Sequence, residues 1–248
     1  MLALNGGMIA LLITVGICAG FAKTGVSTMN ILNVMLMSQV LPAKDAVGLL
    51  LPILILADII AVTYYRRDVK WRLMLSLAPW VLVGLGAGYV VLLFTTDRHL
   101  QVLLGTIIGA LILLQLFRDK WGFRWEESLP RSVWFTALMG AVAGFATMIG
   151  NVSGVVMAIY LMVKKLSKQE IVGTGAWFFL AVNLIKTPFY IQLGMITWSS
   201  ASVAVWVIPA IAAGAYLGIK LVPLIPQKWF QMIILLLGAV GAFRLIVG

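Results

Sequence analysis

Charge is what this sequence has least of. Only 10% of its 248 residues are Asp, Glu, Lys or Arg, against 62% apolar ones, whereas a water-soluble surface carries about 25–35% charged side chains. With a mean hydropathy of +1.09 the chain reads as a polytopic membrane protein. Every long segment is apolar, which leaves no room for a soluble catalytic or ligand-binding domain. Acids are scarcer than bases, eight against eighteen. A net charge of +10 would point to nucleic acid in a soluble protein. Here the basic residues sit in short loops beside apolar runs, where they set topology, so lipid is the expected surroundings and no nucleic-acid partner is expected. The single cysteine, Cys18, excludes an intrachain disulfide or a cysteine metal cluster. The single histidine, His99, stands between charged Arg98 and the next apolar run and reads as solvated. No P-loop, metal-ligand cluster or nucleophile elbow appears, so no cofactor or metal is expected and ATP-driven transport within this chain has no support. No Lys or Arg precedes Lys23, so the first apolar stretch lacks the basic region of a signal peptide and is expected to be retained.

What is present is an internal repeat. Residues 19–25 read AGFAKTG and residues 143–150 read AGFATMIG. Further along, Gly48 matches Gly173, Asp58 falls opposite Asn183, and Tyr65 matches Tyr190. Trp71, Pro79, Gly84, Gly88 and Gln101 then match Trp198, Pro209, Gly214, Gly218 and Gln231, the spacing widening from 124 (Gly20 to Gly144) to 130 (Gly84 to Gly214) as loop insertions would make it. In so apolar a chain, such a repeat is what many secondary transporters are built from, with the binding site between the halves. The predicted organisation is a first transmembrane repeat over 1–117, a cytoplasmic linker over 118–131 and a second repeat over 132–248.

Apolar runs occur at about 3–22, 25–40, 46–65, 73–94 and 99–117, and again at about 132–148, 151–163, 171–191, 199–219 and 228–247. Five helical segments per half follow, making an all-α fold. The runs at 25–40 and 151–163 are shorter than the roughly 20 residues a crossing helix needs, so each half opens with a pair that is either re-entrant or a set of short spans. If each pair returns the chain to its starting side, the loops holding Arg66, Arg67, Lys70 and Arg72, then Arg118, Lys120, Arg124 and Arg131, then Lys164, Lys165 and Lys168, then Lys220 and Lys228 share one face, leaving Lys44, Arg98 and Arg244 on the other. The positive-inside bias favours this arrangement. It places both termini outside the cytoplasm and inverts the two halves. Trp71, Trp80, Trp198, Trp206 and Trp229, near run ends, fit interfacial anchors.

Two inverted halves, each opening with a Gly-containing break, resemble the TauE/SafE family of sulfite exporters and toluene-sulfonate uptake permeases. The residues that carry the resemblance are Gly20 to Gly25 with Ser27, Gly144 to Gly154, and Asn183-Leu-Ile-Lys186 followed by Tyr190 and Gly194. It covers nearly the whole chain. It implies movement of small sulfur-containing or carboxylated organic anions across the plasma membrane.

The residues themselves offer places for an anion. Each short pair breaks and then opens a helix, whose first N–H groups and positive dipole end suit an oxyanion. Gly25, Ser27 and Thr28 stand at one such start, Gly150, Asn151 and Ser153 at the other; the alternative is that these small residues only permit tight helix packing. Inversion would bring the two breaks together. Lys23 at the first break is either one more basic loop residue or a counter-charge for the anion. Lys186 lies inside the eighth run, just before Thr187-Pro188, where the proline should kink the helix; it either meets the anion or snorkels to the interface. Asn183, three residues earlier on the same helix, could share that ligand or orient the lysine. Asp58, the one acid inside an apolar run, is open to proton coupling or to a structural salt bridge with Lys23 or Lys186.

The function expected from these features is a secondary carrier for a small organic or sulfur-containing anion, working by alternating access between inverted repeats. The rivals are an anion channel, a membrane-embedded enzyme, for which one intramembrane acid and no intramembrane histidine make a poor start, and a scaffold. A homodimer is left open as the assembly.

Overall fold

A computed structural model describes residues 6–25, 27–121, 132–164 and 166–221, with 239, 242–243 and 246–247. All regular structure among them is helical. In chain order the helices are α1 (Gly6–Thr24), a 3-10 turn (Ser27–Met29) leading into α2 (Asn30–Ser38), α3 (Ala43–Tyr64), α4 (Trp71–Phe94), α5 (Asp97–Trp121), α6 (Val133–Gly150), α7 (Gly154–Val163), α8 (Lys168–Gln192), α9 (Trp198–Trp206) and α10 (Ile208–Leu221). Five of them, α1, α3, α4, α6 and α8, are long and apolar enough to cross a membrane, or six spans if α9 and α10 count as one. The exposed Trp134, Trp198 and Trp206 give the bundle an apolar exterior suited to lipid and its interfaces. This is the all-α polytopic membrane protein expected from composition.

The two short runs are α2 and α7, nine and ten residues long, and each follows a break. The helix before the break is of full length in both halves. The run at 199–219 is not one straight helix: it bends by 55° between α9 and α10. Pro209, two residues past the break, has no N–H to continue the ladder, although its counterpart Pro79 lies inside an unbroken α4. Pro188 likewise lies inside a continuous α8. α5 runs on to Trp121, so the start of the 118–131 segment is helical. The rest of that segment, residues 122–131, and most of the run at 228–247 lie outside the described residues.

Local chemistry sets the helix starts. Ser132 accepts from the Phe135 N–H at 3.2 Å to begin α6. Ser167 and Glu170 form a reciprocal capping box for α8, with bonds of 3.3 and 2.9 Å.

Packing follows the repeat. The most extensive helix pairs are α1 with α10 and α4 with α6, and both depend on glycine. A Cβ on Gly20 would strike the Ile211 carbonyl and the Ala215 nitrogen; on Gly144 it would strike the Val81 carbonyl and the Leu85 nitrogen. Gly214 rests on the Ile17 backbone as Gly84 rests on Ala141 and Phe145, and Gly218 meets Thr24 as Gly88 meets Met148. Each contact between the halves recurs at the repeat spacing with the two halves exchanged. The contacts advance together along both chains, so α1 runs parallel to α10 and α4 to α6. Between α3 and α8 they run opposite ways: Gly48 abuts Met195, Asp58 bonds Asn183, and Ala61 and Val62 pack with Ala176. Those two helices, equivalent in sequence, are antiparallel.

The ends are tied correspondingly. Tyr65, just past α3, donates to the Thr24 carbonyl at 3.1 Å; Tyr190, near the end of α8, donates to the Met148 carbonyl at 2.6 Å. In each half the first helix thus finishes beside the end of the third, and the short helix carries the chain back toward the third helix's start. At one face Lys70 Nζ pairs with Glu170 Oε1 at 2.5 Å, and the Lys70 N–H donates to Thr174 Oγ1 at 3.0 Å, joining the α3–α4 loop to the start of α8. At the opposite face the Lys44 N–H donates to Asp97 Oδ1 at 2.9 Å.

The glycine contacts carry a test. Gly84→Ala and Gly214→Ala should each lower stability by about 1–3 kcal/mol, because the added methyl meets backbone that cannot step aside. Gly86→Ala, with nothing within 4 Å of its Cβ position, should be neutral or slightly stabilising. Thermal unfolding of the three variants in one detergent decides; equal melting at positions 84 and 86 would remove the close-approach argument.

Candidate functional site

Among the described residues three charged side chains are buried, and all three lie where the halves meet: Lys23 at the end of α1, Asp58 in α3 and Lys186 in α8. Lys23 Nζ lies 2.8 Å from Asp58 Oδ1, a contact of opposite charges more than of hydrogen-bond alignment. It also stands over the Phe179 ring, 4.2 Å from the centroid. The Asn183 amide donates to the other carboxylate oxygen of Asp58 at 2.6 Å. Asp58 and Asn183 are repeat partners, and they meet face to face where α3 and α8 cross. The geometry pairs Asp58 with Lys23 in a salt bridge.

Lys186 has a different set of partners. Its Nζ donates to the Thr147 carbonyl at 2.9 Å, to Thr147 Oγ1 at 3.0 Å, and to Asn151 Oδ1. The Tyr190 ring lies 5.4 Å away, centroid to Nζ. Lys186 is fully buried, so it does not snorkel. It sits against the C-terminal turn of α6, where the dipole is negative; the Thr147 carbonyl that it meets also accepts from the Asn151 N–H. Asn183 does not orient it; its amide is spent on Asp58.

Asn151 ends α6 in the left-handed region, φ 60° and ψ 25°, a conformation asparagine accepts more readily than other residues with a Cβ. Its N–H bonds the Thr147 carbonyl at 3.0 Å and its amide reaches the Val47 carbonyl at 3.4 Å. One residue thus stops the helix, meets the lysine and touches α3. Ser153 follows at the start of α7, fully buried, with a hydroxyl that neither caps the helix nor finds another partner. Gly150 gives way to Leu104 of α5, a packing role. On the other side Gly25 and Ser27 are half-buried. The two breaks do touch: a Cβ on Gly154 would strike the Ser27 carbonyl and approach the Thr28 nitrogen.

The structure therefore gathers Lys23, Asp58 and Asn183 into one group and Lys186 with Asn151 into a second, with Ser153 beside the latter in sequence. Sequence reasoning passed over Thr147 and Phe179. It also passed over Asn30 and Asn33, which are buried on α2 and bonded to each other at 3.2 Å, with Asn33 Oδ1 left unpartnered. Two asparagines three residues apart in an apolar run were a signal that could have been used.

In sum of formal charges Lys23 and Asp58 cancel and Lys186 remains. Among the described residues the interior of the bundle thus holds one lysine without a carboxylate partner, at a helix break whose following helix opens on the unpartnered Ser153 hydroxyl. Neither the curated proteins nor the solved structures contain a significant match to this chain. The family model described as Sulfite exporter TauE/SafE matches residues 8–245, nearly the whole length, and the chain belongs to that family of membrane transporters.

Proposed function

We propose that the protein is a secondary carrier that moves a small organic or sulfur-containing oxyanion, of sulfite, sulfonate or carboxylate type, across the plasma membrane. The observation that carries this reading is the excess buried cation, Lys186. A charge in this position is costly unless something meets it, and the acceptors around it are all neutral apart from the end of the α6 dipole. The anion lies near Lys186, Asn151 and Ser153 at the start of α7, whose first N–H groups and positive dipole end favour negative charge. Gly25, Ser27 and Lys23 line the approach from the other half.

Alternating access rests on the relation between the halves. The antiparallel α3–α8 crossing and the reciprocal α1–α10 and α4–α6 contacts support two inverted repeats related by a pseudo-two-fold axis, with Asp58 and Asn183 close to it. Inverted repeats can exchange conformations and so open the site to either face in turn. The Lys70–Glu170 contact supports a common face for the basic loops after α3 and before α8, and by charge that face is cytoplasmic. Both termini then lie outside the cytoplasm.

Two experiments test the reading. In a Cys18-free background, a cysteine at position 67 should resist an impermeant thiol reagent in intact cells while one at position 96 should react; the reverse would overturn the topology. For the site, an anion at one hundred times its Kd should stabilise the wild type by about 2.7 kcal/mol. Lys186→Ala should remove both that stabilisation and transport, and Lys186→Arg should restore them only in part, because a planar fork does not replace a compact ammonium. Saturable flux with counterflow separates carrier from pore. Wild-type transport in a folded Lys186→Ala protein would take Lys186 out of the mechanism.

A further inference from the structure

An ammonium group has three protons to give, and Lys186 has three acceptors: the Thr147 carbonyl, Thr147 Oγ1 and Asn151 Oδ1. No N–H of Lys186 is left to reach an anion. Any oxyanion that bonds this lysine directly must first displace one of the three, and they are not equally free to leave. The Thr147 carbonyl belongs to the last turn of α6 and already accepts from the Asn151 N–H, so moving it would unwind the helix. Thr147 Oγ1 is carried on a short side chain of that same helix, with two χ1 rotamers open to it and no backbone freedom beside it. Asn151 is outside the helix, at the break, and the other bond of its amide is the long 3.4 Å contact with the Val47 carbonyl.

We propose that the Asn151 side-chain carbonyl is a built-in stand-in for the transported anion: it fills the one exchangeable position on Lys186 when no substrate is bound, and substrate enters by displacing it. This rests on the anion-site reading above and adds a specificity rule to it. Only one N–H of Lys186 becomes available, so the lysine takes a single oxygen of the ligand. The other oxygens must find donors elsewhere, at the Ser153 hydroxyl, which has no partner, and at the opening N–H groups of α7. A small oxyanion with several acceptor oxygens on one centre, such as a sulfonate, sulfite or carboxylate, satisfies that pattern. A halide, with no separate oxygens to place on separate donors, satisfies it poorly. The stand-in also keeps the empty carrier from leaving an ammonium unmet in the bilayer, which is what allows it to return without cargo.

The test is chemical rescue in Asn151→Gly. Glycine accepts the left-handed backbone and removes the competing carbonyl without adding bulk. In the absence of anions this variant should melt below the wild type, since the lysine has lost a partner. Sulfite, methanesulfonate or acetate should then raise its melting temperature more than they raise that of the wild type at equal concentration, with an affinity gain of about fivefold, and chloride should do so less. Asn151→Asp, which places a permanent carboxylate on Lys186, should show no anion response at all. If Asn151→Gly responds no more than the wild type, or loses its response as Asn151→Asp does, Asn151 is not a stand-in. That result differs from failure of the anion-site reading, which would appear as an unchanged response in Lys186→Ala.

Discussion

The constraint on which this structure turns is that a charge inside an apolar bundle must be met from within. Placing Lys, Arg or Asp at the centre of a membrane-spanning helix costs about 2.5–3.5 kcal/mol per residue by insertion scales. Three such residues lie together here. Asp58 is met twice, by Lys23 and by the Asn183 amide, and each of these comes from a different helix. Lys186 draws on the negative end of α6, where the Thr147 carbonyl accepts from it as well as from the Asn151 N–H, and on Asn151 Oδ1 just past the helix. A continuous α6–α7 helix would have no such end beside the lysine.

The scaffold and the charges obey different symmetries. Everything that sets the shape comes in pairs: Gly20 with Gly144 and Gly84 with Gly214, each pressed against a helix of the other half, and Tyr65 with Tyr190, each tied to the first helix of its own half. Everything that sets the charge does not. Lys23 is matched by Thr147, Asp58 by Asn183, and Lys186 by Ala61. An acid at both positions would bring two carboxyls face to face at the α3–α8 crossing, where like charge disfavours ionising both. Replacing one of them with asparagine turns repulsion into a hydrogen bond and leaves a single acid for Lys23. The sequence repeat is thus kept by the residues that pack and broken by those that carry charge.

Much of this was legible in the sequence, and the reasons differ by element. The repeat was visible because close helix approach admits only small residues, so glycines persist at fixed spacing where other positions vary. The short α2 and α7 were visible because length alone forbids them from crossing. Asp58, Asn183 and Lys186 stood out because polar residues are rare in apolar runs. What could not be read was their pairing. Asn183 is near Lys186 along α8, yet it faces Asp58, because partners in a bundle are chosen by helix crossings and not by chain distance. Thr147 was invisible for a related reason: its decisive atom is a backbone carbonyl, which every residue has, and only the position of the helix end makes it an acceptor. The bend between α9 and α10 escaped as well, since Pro79 and Pro209 are equivalent in sequence and only one stands beside a break.

A buried lysine with all its protons engaged is ordinarily a sign of structure, and a buried lysine with none engaged would be a sign of error. Lys186 has all three engaged, yet unequally, because two of its acceptors belong to a rigid helix end and the third to a side chain at a break. Affinity for an anion then depends on a difference: the new bond must outweigh the bond to Asn151, and the gain is smaller than the Coulomb energy of a bare pair. For a carrier on the proposed reading that is an advantage. A site that held its anion with the full strength of a desolvated ion pair would release it slowly, whereas one that trades a neutral carbonyl for an anionic oxygen retains a partner for the lysine at every stage of the exchange.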